Sequence, residues 1–262
     1  MFPFIWWLQG AAASTDDGPH EGGVDFLRRR AIMATLGEWN PSRLRPAAWY
    51  TADPEFITVS GADITAWRDR SGRGNHLVEA PLVNDPDLSA TGWSSSKAAA
   101  VFTPPSNNLR TTGPVKSIGD QVTVFATIDL TSSASAKYLL QWTDEATAFF
   151  AIAFTGTDNF ITPDINIGGN NIGHISAVGK RTVALILGGG RVSSYIDEAP
   201  DLVGDPIIAQ VVDCAYLAMG VNALGLNGFN GAVRDVLIMP FQASWEDYRR
   251  YRAWARATFG GV

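Results

Sequence analysis

Trp49-Tyr50-Thr51-Ala52-Asp53-Pro54 and, after a short interval, Ile64-Thr65-Ala66-Trp67-Arg68-Asp69-Arg70-Ser71-Gly72-Arg73-Gly74-Asn75-His76-Leu77 read as a strand, a tight turn and the start of a further strand. Gly72 and Gly74 supply the positive φ that such a turn needs. Asp69 and Asn75 are suited to bond nearby backbone amides, and Trp67 is large enough to anchor the turn in a core. His76 invites a catalytic or metal-binding interpretation. The chain holds only three histidines, His20, His76 and His174, and no second histidine or cysteine stands at ligand spacing, so a structural role is expected for it.

From Ala47 onward, short apolar stretches alternate with Gly, Asn, Pro and Ser clusters, the spacing of antiparallel all-β domains. Gln121 to Leu130 is the clearest strand: Val122, Val124, Ala126, Ile128 and Leu130 share one face, and Thr123, Phe125, Thr127 and Asp129 the other. One face is expected in the core and the other in a largely polar setting. Further strands are expected at 98–102, 138–142, 148–154, 160–167, 182–187, 191–196, 215–221 and 232–239. Gly188-Gly189-Gly190 is expected to close a tight hairpin.

The far end carries the second informative stretch, Gly228-Phe229-Asn230-Gly231-Ala232-Val233-Arg234-Asp235-Val236-Leu237-Ile238, leading into a helix over 244–259. Ser244 is placed to cap that helix, with Asp247 reciprocating three residues on. Trp245, Tyr248, Tyr251 or Arg252, Trp254 or Ala255, and Thr258 or Phe259 recur at three- and four-residue steps and form an apolar stripe. Arg249, Arg250, Arg252 and Arg256 crowd its later turns, where carbonyl dipoles favour cations.

The two stretches together resemble the opening and closing segments of laminin-G-like, concanavalin A-like jelly-roll domains, including those of phage and phage-derived particle spike, fibre or decoration proteins. The resemblance implies a concanavalin A-like (laminin-G-like) jelly-roll β-sandwich over 46–262 with its terminal helix. Residues 1–45 read as an N-terminal attachment arm: an apolar tip, a Gly/Asp/Pro-rich linker over 14–23, and a short helix over 24–36. Phe2, Phe4, Ile5, Trp6, Trp7 and Leu8 form that tip, too short to span a bilayer, and are expected to dock into another subunit.

At 262 residues the chain can bury roughly three quarters of its unfolded surface without covalent staples. The single Cys214 sits in an apolar run and is expected to pack as a small hydrophobe. Net charge is −6, and the 20 basic residues form no stripe of the kind a nucleic-acid groove needs, which disfavours nucleic-acid binding. Glycosidase chemistry on such a fold requires two carboxylates flanking one bond. Asp144-Glu145 and Asp197-Glu198 are adjacent pairs, whose side chains point to opposite faces of an extended strand, so no enzymatic site is expected. Asp158, Asn159 and Asp164 are conceivable calcium ligands, but such residues in β-loops usually form turns, so neither metal nor cofactor is expected.

Sugar recognition calls for an aromatic platform with amide or carboxylate groups at its edge. Trp93, Asn107, Asn108, Phe125, Trp142, Asn170 and Asn171 are the glycan-binding candidates. The family resemblance implies a non-enzymatic virion structural protein of a phage or gene-transfer-agent-like particle, assembled in the host cytoplasm. As a head spike, fibre or tail-associated subunit, and conceivably a homo-oligomer, it would contact other virion subunits through its arm and a host-surface polysaccharide through its domain. Two alternatives stand beside this: a polysaccharide hydrolase or lyase on the same fold, and a bacterial envelope adhesion module.

Overall fold

The computed structural model describes residues 39–80, 84–103, 107–115, 121–131, 137–143, 148–154, 161–163, 178–206, 215–220 and 228–260. The expected docking tip and the helix over 24–36 lie outside these residues, as do Asp158, Asn159, Asp164, Asn170, Asn171 and Cys214. Every described strand falls in the unit that runs from Asn40 to Val262.

A 3-10 turn at Pro41–Leu44 leads into β1 (Ala48–Thr51), β2 (Ile57–Ser60), β3 (Asp63–Trp67), β4 (Leu77–Glu79), β5 (Asp87–Ser94), β6 (Lys97–Phe102) and β7 (Leu109–Thr111). There follow β8 (Val122–Leu130), β9 (Lys137–Thr143), β10 (Ala148–Phe154), β11 (Ile161–Pro163), β12 (Gly179–Gly188) and β13 (Arg191–Ile196). The chain closes with β14 (Ala199–Pro206), β15 (Tyr216–Met219), β16 (Gly231–Met239) and one α-helix, α1 (Trp245–Phe259).

Hydrogen bonding links these strands in a single path, β11-β10-β9-β15-β7-β4-β3-β5-β6-β16-β8-β12-β13-β14, with β1 added to β16 and β2 to β3. The seam between β3 and β5 is one residue pair, Asp63 with Asp87. Residues on both sides of the seam share one core: Trp67, Leu77, Leu109, Leu140, Trp142 and Leu217 pack in the same cluster as Val124, Ile128, Leu185, Val233 and Ile238. The sequence predicts a concanavalin A-like jelly-roll sandwich; the described strands form one continuous all-β path around a shared core. Edge pairing between turn segments is decided by long-range register, which local alternation cannot reveal.

β8 corrects one expectation. Its residues are buried on both faces, apart from a half-buried Asp129, because α1 lies across the face predicted to be polar. Phe125 has no exposed surface and meets Tyr248 and Tyr251 with ring centroids 5.4 and 5.3 Å apart. Thr123 Oγ1 donates to Phe241 O at 2.8 Å, and Thr127 Oγ1 lies 2.9 Å from Tyr251 Oη, so both hydroxyls are satisfied under the helix. The helix begins as its sequence dictates. Ser244 Oγ accepts from the Asp247 amide at 3.1 Å, and the Asp247 carboxylate accepts from the Ser244 amide at 3.0 Å. Tyr248, Tyr251, Ala255 and Phe259 form its buried stripe.

Candidate functional site

The turn that opens the sequence argument is built around one carboxylate. Asp69 Oδ1 accepts from the amides of Trp49 and Ser71 at 2.9 and 2.8 Å, and Oδ2 accepts from Ser71 Oγ and the Asn75 amide at 2.8 and 3.0 Å. His76 Nδ1 accepts from the Asp69 amide at 3.0 Å, which makes the histidine a structural partner. Gly72 and Gly74 hold φ of 79° and 80°, and Trp67 Nε1 donates to Thr51 O at 2.8 Å from a fully buried position. The Asp69 carboxylate, the Asn75 amide and the Trp67 indole of this motif are all engaged in the fold.

Beside it lies a second buried network. Trp49 Nε1 donates to Asp235 Oδ1 at 2.9 Å, and Tyr251 Oη donates to Oδ2 at 3.1 Å. Burial pushes Asp235 up to about 7, against the pull of its two hydrogen bonds and of Arg234 and Arg70. Arg234, itself buried, pairs with Asp53, donates to Ala98 O at 3.2 Å and sits 4.5 Å from the Phe259 ring centre. Arg70 lies 4.2 Å from the Trp49 ring centre and 3.6 Å from Asp53. This network ties β1, β16 and α1 together beneath aromatic rings, and substrate has no path to its carboxylate.

A third group is open to solvent. The start of β3, the end of β4 and the segment before β5 bring together Asp63, Glu79 and Asp85, of which Asp63 and Glu79 are exposed and Asp85 is half-buried. Desolvation raises the Asp85 carboxyl first, and the negative charges of Glu79 and Asp63 and a hydrogen bond with Glu79 raise it further. Asn107 Nδ2 donates to Asp85 O at 2.6 Å and fixes the segment, while Asp85 Oδ1 is shut off from solvent without a hydrogen-bond partner. Such an arrangement sets a carboxyl with a raised pKa beside two other carboxylates, a combination that acid–base chemistry can use. Sequence reading missed these residues because Asp63, Glu79 and Asp85 belong to separate elements. A detectable signal was the acidic run Asn84-Asp85-Pro86-Asp87, which reads equally well as a turn.

The sequence-predicted glycan residues that are described, Trp93, Asn107, Asn108, Phe125 and Trp142, are all buried. Trp93 is 1% exposed, donates through Nε1 to Gly260 O at 3.1 Å and packs against Phe259. Phe125 lies under α1, and Trp142 is 2% exposed in the main core. These three are corrected from ligand contacts to core residues, since no sugar ring reaches them. Asn107 and Asn108 are buried and brace the Asn84–Asp85 segment, Asn108 through its amide to Asn84 O at 3.1 Å. Among the described residues, no group of three or more His, Cys, Asp or Glu side chains has the geometry to hold a metal, and no helix is long and apolar enough to cross a membrane.

No family model and no curated protein matches the chain. Solved structures do. Domain 4 of AbnA, a GH43 extracellular arabinanase from Geobacillus stearothermophilus in complex with arabinotriose, aligns with a TM-score of 0.58 at 14% identity over 80% of this chain and 98% of that domain. Trypanosoma rangeli sialidase in complex with the inhibitor DANA aligns with a TM-score of 0.58 at 11% identity, covering 92% of this chain and 40% of the sialidase. A GH54 α-L-arabinofuranosidase aligns with a TM-score of 0.54 at 19% identity over 73% of this chain and 50% of that one. At such identities the likeness is one of fold, and this chain spans less than half the length of the sialidases it matches.

These matches overturn the family expected from the sequence. The fold is an all-β fold that resembles parts of sialidase and glycoside-hydrolase chains, and the assignment to jelly-roll domains of phage spike, fibre or decoration proteins is withdrawn. The readings that hung on it fall as well: a non-enzymatic virion subunit, docking to other virion subunits, attachment to a host glycan as a particle component, and residence in a virion. The resemblance failed because its motif residues serve the Asp69 turn, a solution to folding that carries no information about the particle or pathway a domain serves.

Proposed function

We propose that this chain is a carbohydrate-active protein that works in glycan cleavage outside the cell. The observation that carries this reading is the convergence of Asp63, Glu79 and Asp85 on a fold otherwise seen in sialidase and glycoside-hydrolase chains. Asp85, raised in part by a hydrogen bond with Glu79, is the candidate acid. Asp63 is the second carboxylate within electrostatic range. In glycoside hydrolysis the protonated carboxyl delivers its proton to the leaving oxygen, and the ionised one supports the developing positive charge or activates water. Desolvation first, and then the negative charges of Glu79 and Asp63, raise the Asp85 carboxyl, the direction that suits an acid.

A second reading shares the substrate class and differs in the division of labour. The chain matches 98% of one domain of an arabinanase, a domain solved with arabinotriose bound, so it would hold oligosaccharide for a catalytic domain elsewhere. One experiment separates the two. The purified chain is incubated with sialyllactose, arabinan and a panel of soluble polysaccharides, and reducing ends are counted. Release of sugar that falls about 100-fold or more in Asp85→Asn supports the enzyme. Binding without release supports the holding domain, and neither binding nor release rejects the carbohydrate reading.

A further inference from the structure

α1 docks through Tyr248, Tyr251, Ala255 and Phe259, yet its first residue presents an aromatic ring that this docking leaves partly uncovered: Trp245 is 36% exposed. The Trp245 ring lies 4.6 Å from that of half-buried Tyr195, inclined at 34°, and 5.4 Å from buried Tyr248. In β13 the alternation sends Val192, Ser194 and Ile196 inward, so Tyr195 stands on the outer face. Among the described residues, neither the Trp245 indole N–H nor the Tyr195 hydroxyl has a hydrogen-bond partner. Around the rings the helix sets Glu246, Arg249 and Arg250, with side chains 53%, 61% and 53% exposed.

A partly exposed Trp245 ring backed by Tyr195, unpaired donors at the ring edges and charged groups beside them match the chemistry of one sugar ring. Its C–H face packs on aromatic carbon, and its hydroxyls point sideways toward donors and acceptors. A protein partner fits poorly. The other exposed large hydrophobic side chain among the described residues is Val59 on β2, so no apolar patch approaches the roughly 1,000 Å² that a stable protein interface buries. The helix start is already fixed by the Ser244–Asp247 capping box, so the rings are presented on a rigid frame without being needed to form it.

We infer that Trp245, held in place by Tyr195 behind it, forms a sugar-stacking platform, separate from the Asp63, Glu79 and Asp85 cluster, that holds one ring of a glycan chain. The inference rests on the carbohydrate reading above, and its test keeps the two apart. Affinity electrophoresis in gels containing arabinan or sialylated glycoprotein, with fluorescence titrations of arabinotriose and sialyllactose, is run on the full chain as wild type, Trp245→Ala, Trp245→Phe and Tyr195→Ala.

Binding by the wild type that weakens about tenfold or more in Trp245→Ala and recovers in part in Trp245→Phe supports the platform. Equal binding by wild type, Trp245→Ala and Tyr195→Ala overturns the platform and leaves the carbohydrate reading standing. A wild type that neither binds nor cleaves any of these glycans removes both. Should Trp245→Ala melt early, Tyr195→Ala decides, since Tyr195 lies outside the helix. A sedimentation experiment in which the wild type dimerises and Trp245→Ala does not would make the rings a contact between copies and overturn the proposal.

Discussion

Asp235 gives a sharp test of the buried network. Its carboxyl is raised from the ordinary 3.8 to about 7, with burial as the dominant cause. The folded state therefore holds a proton that the unfolded chain releases near pH 4. Between these values the unfolded state binds fewer protons, so stability falls as pH rises: the contribution is complete below about pH 4 and lost as pH passes about 7. At about 1.4 kcal/mol per pH unit, the interval amounts to on the order of 4 kcal/mol.

Asp235→Asn removes the titration while keeping an oxygen for Trp49 Nε1–H and offering an N–H to Tyr251 Oη, which turns its own proton to Thr127. Urea unfolding of both proteins from pH 4 to pH 8 reads the difference in stability and cancels the pH dependence of every other group, the raised Asp85 included. The two proteins should be close at pH 4, and the variant should lead by a few kcal/mol at pH 8. A difference that does not change with pH refutes the assignment, as does a wild type that gains on the variant as pH rises.

Asp69→Ala should cost about 3 to 5 kcal/mol in chemical denaturation, because it strands the buried amides of Trp49 and Asn75. Phe125→Ala should cost about 3 to 5 kcal/mol and loosen α1, visible as faster hydrogen exchange at Tyr248 and Tyr251; an effect below 1 kcal/mol would place the ring at the surface. Gly220→Ala should fail to yield a stable fold, since a Cβ would stand 2.5 Å from Asn107 O at a backbone φ of +100°, and thermal melting of any soluble product checks it.

What the sequence made legible is local chemistry. Ser244 with Asp247 predicted the helix start, Gly188-Gly189-Gly190 the hairpin between β12 and β13, and Asp69, Gly72, Gly74 and Asn75 the turn. What it hid depends on distant partners. Phe125 reads as exposed because its strand alternates, and only the arrival of α1 buries it. Trp93 and Trp142 look available in polar neighbourhoods, yet both are claimed by packing from remote segments. The acidic cluster was missed for the same reason: three carboxylates that arrive from three elements leave no pattern within one strand.

The pairing of β1 with β16 joins Trp49 to Leu237 and Ala48 to Ile238 across almost the whole domain. A ribosome delivers those partners far apart in time, so β1 waits without its neighbour until residues near 240 emerge, and the Asp235 bond to Trp49 waits with it. Loop-closure entropy of that length makes assembly slow relative to helical proteins of similar size. The aromatic residues of β1 can meet Trp67, Asp69 and Arg70 early, but they gain their β16 partner only once the end of the domain is made.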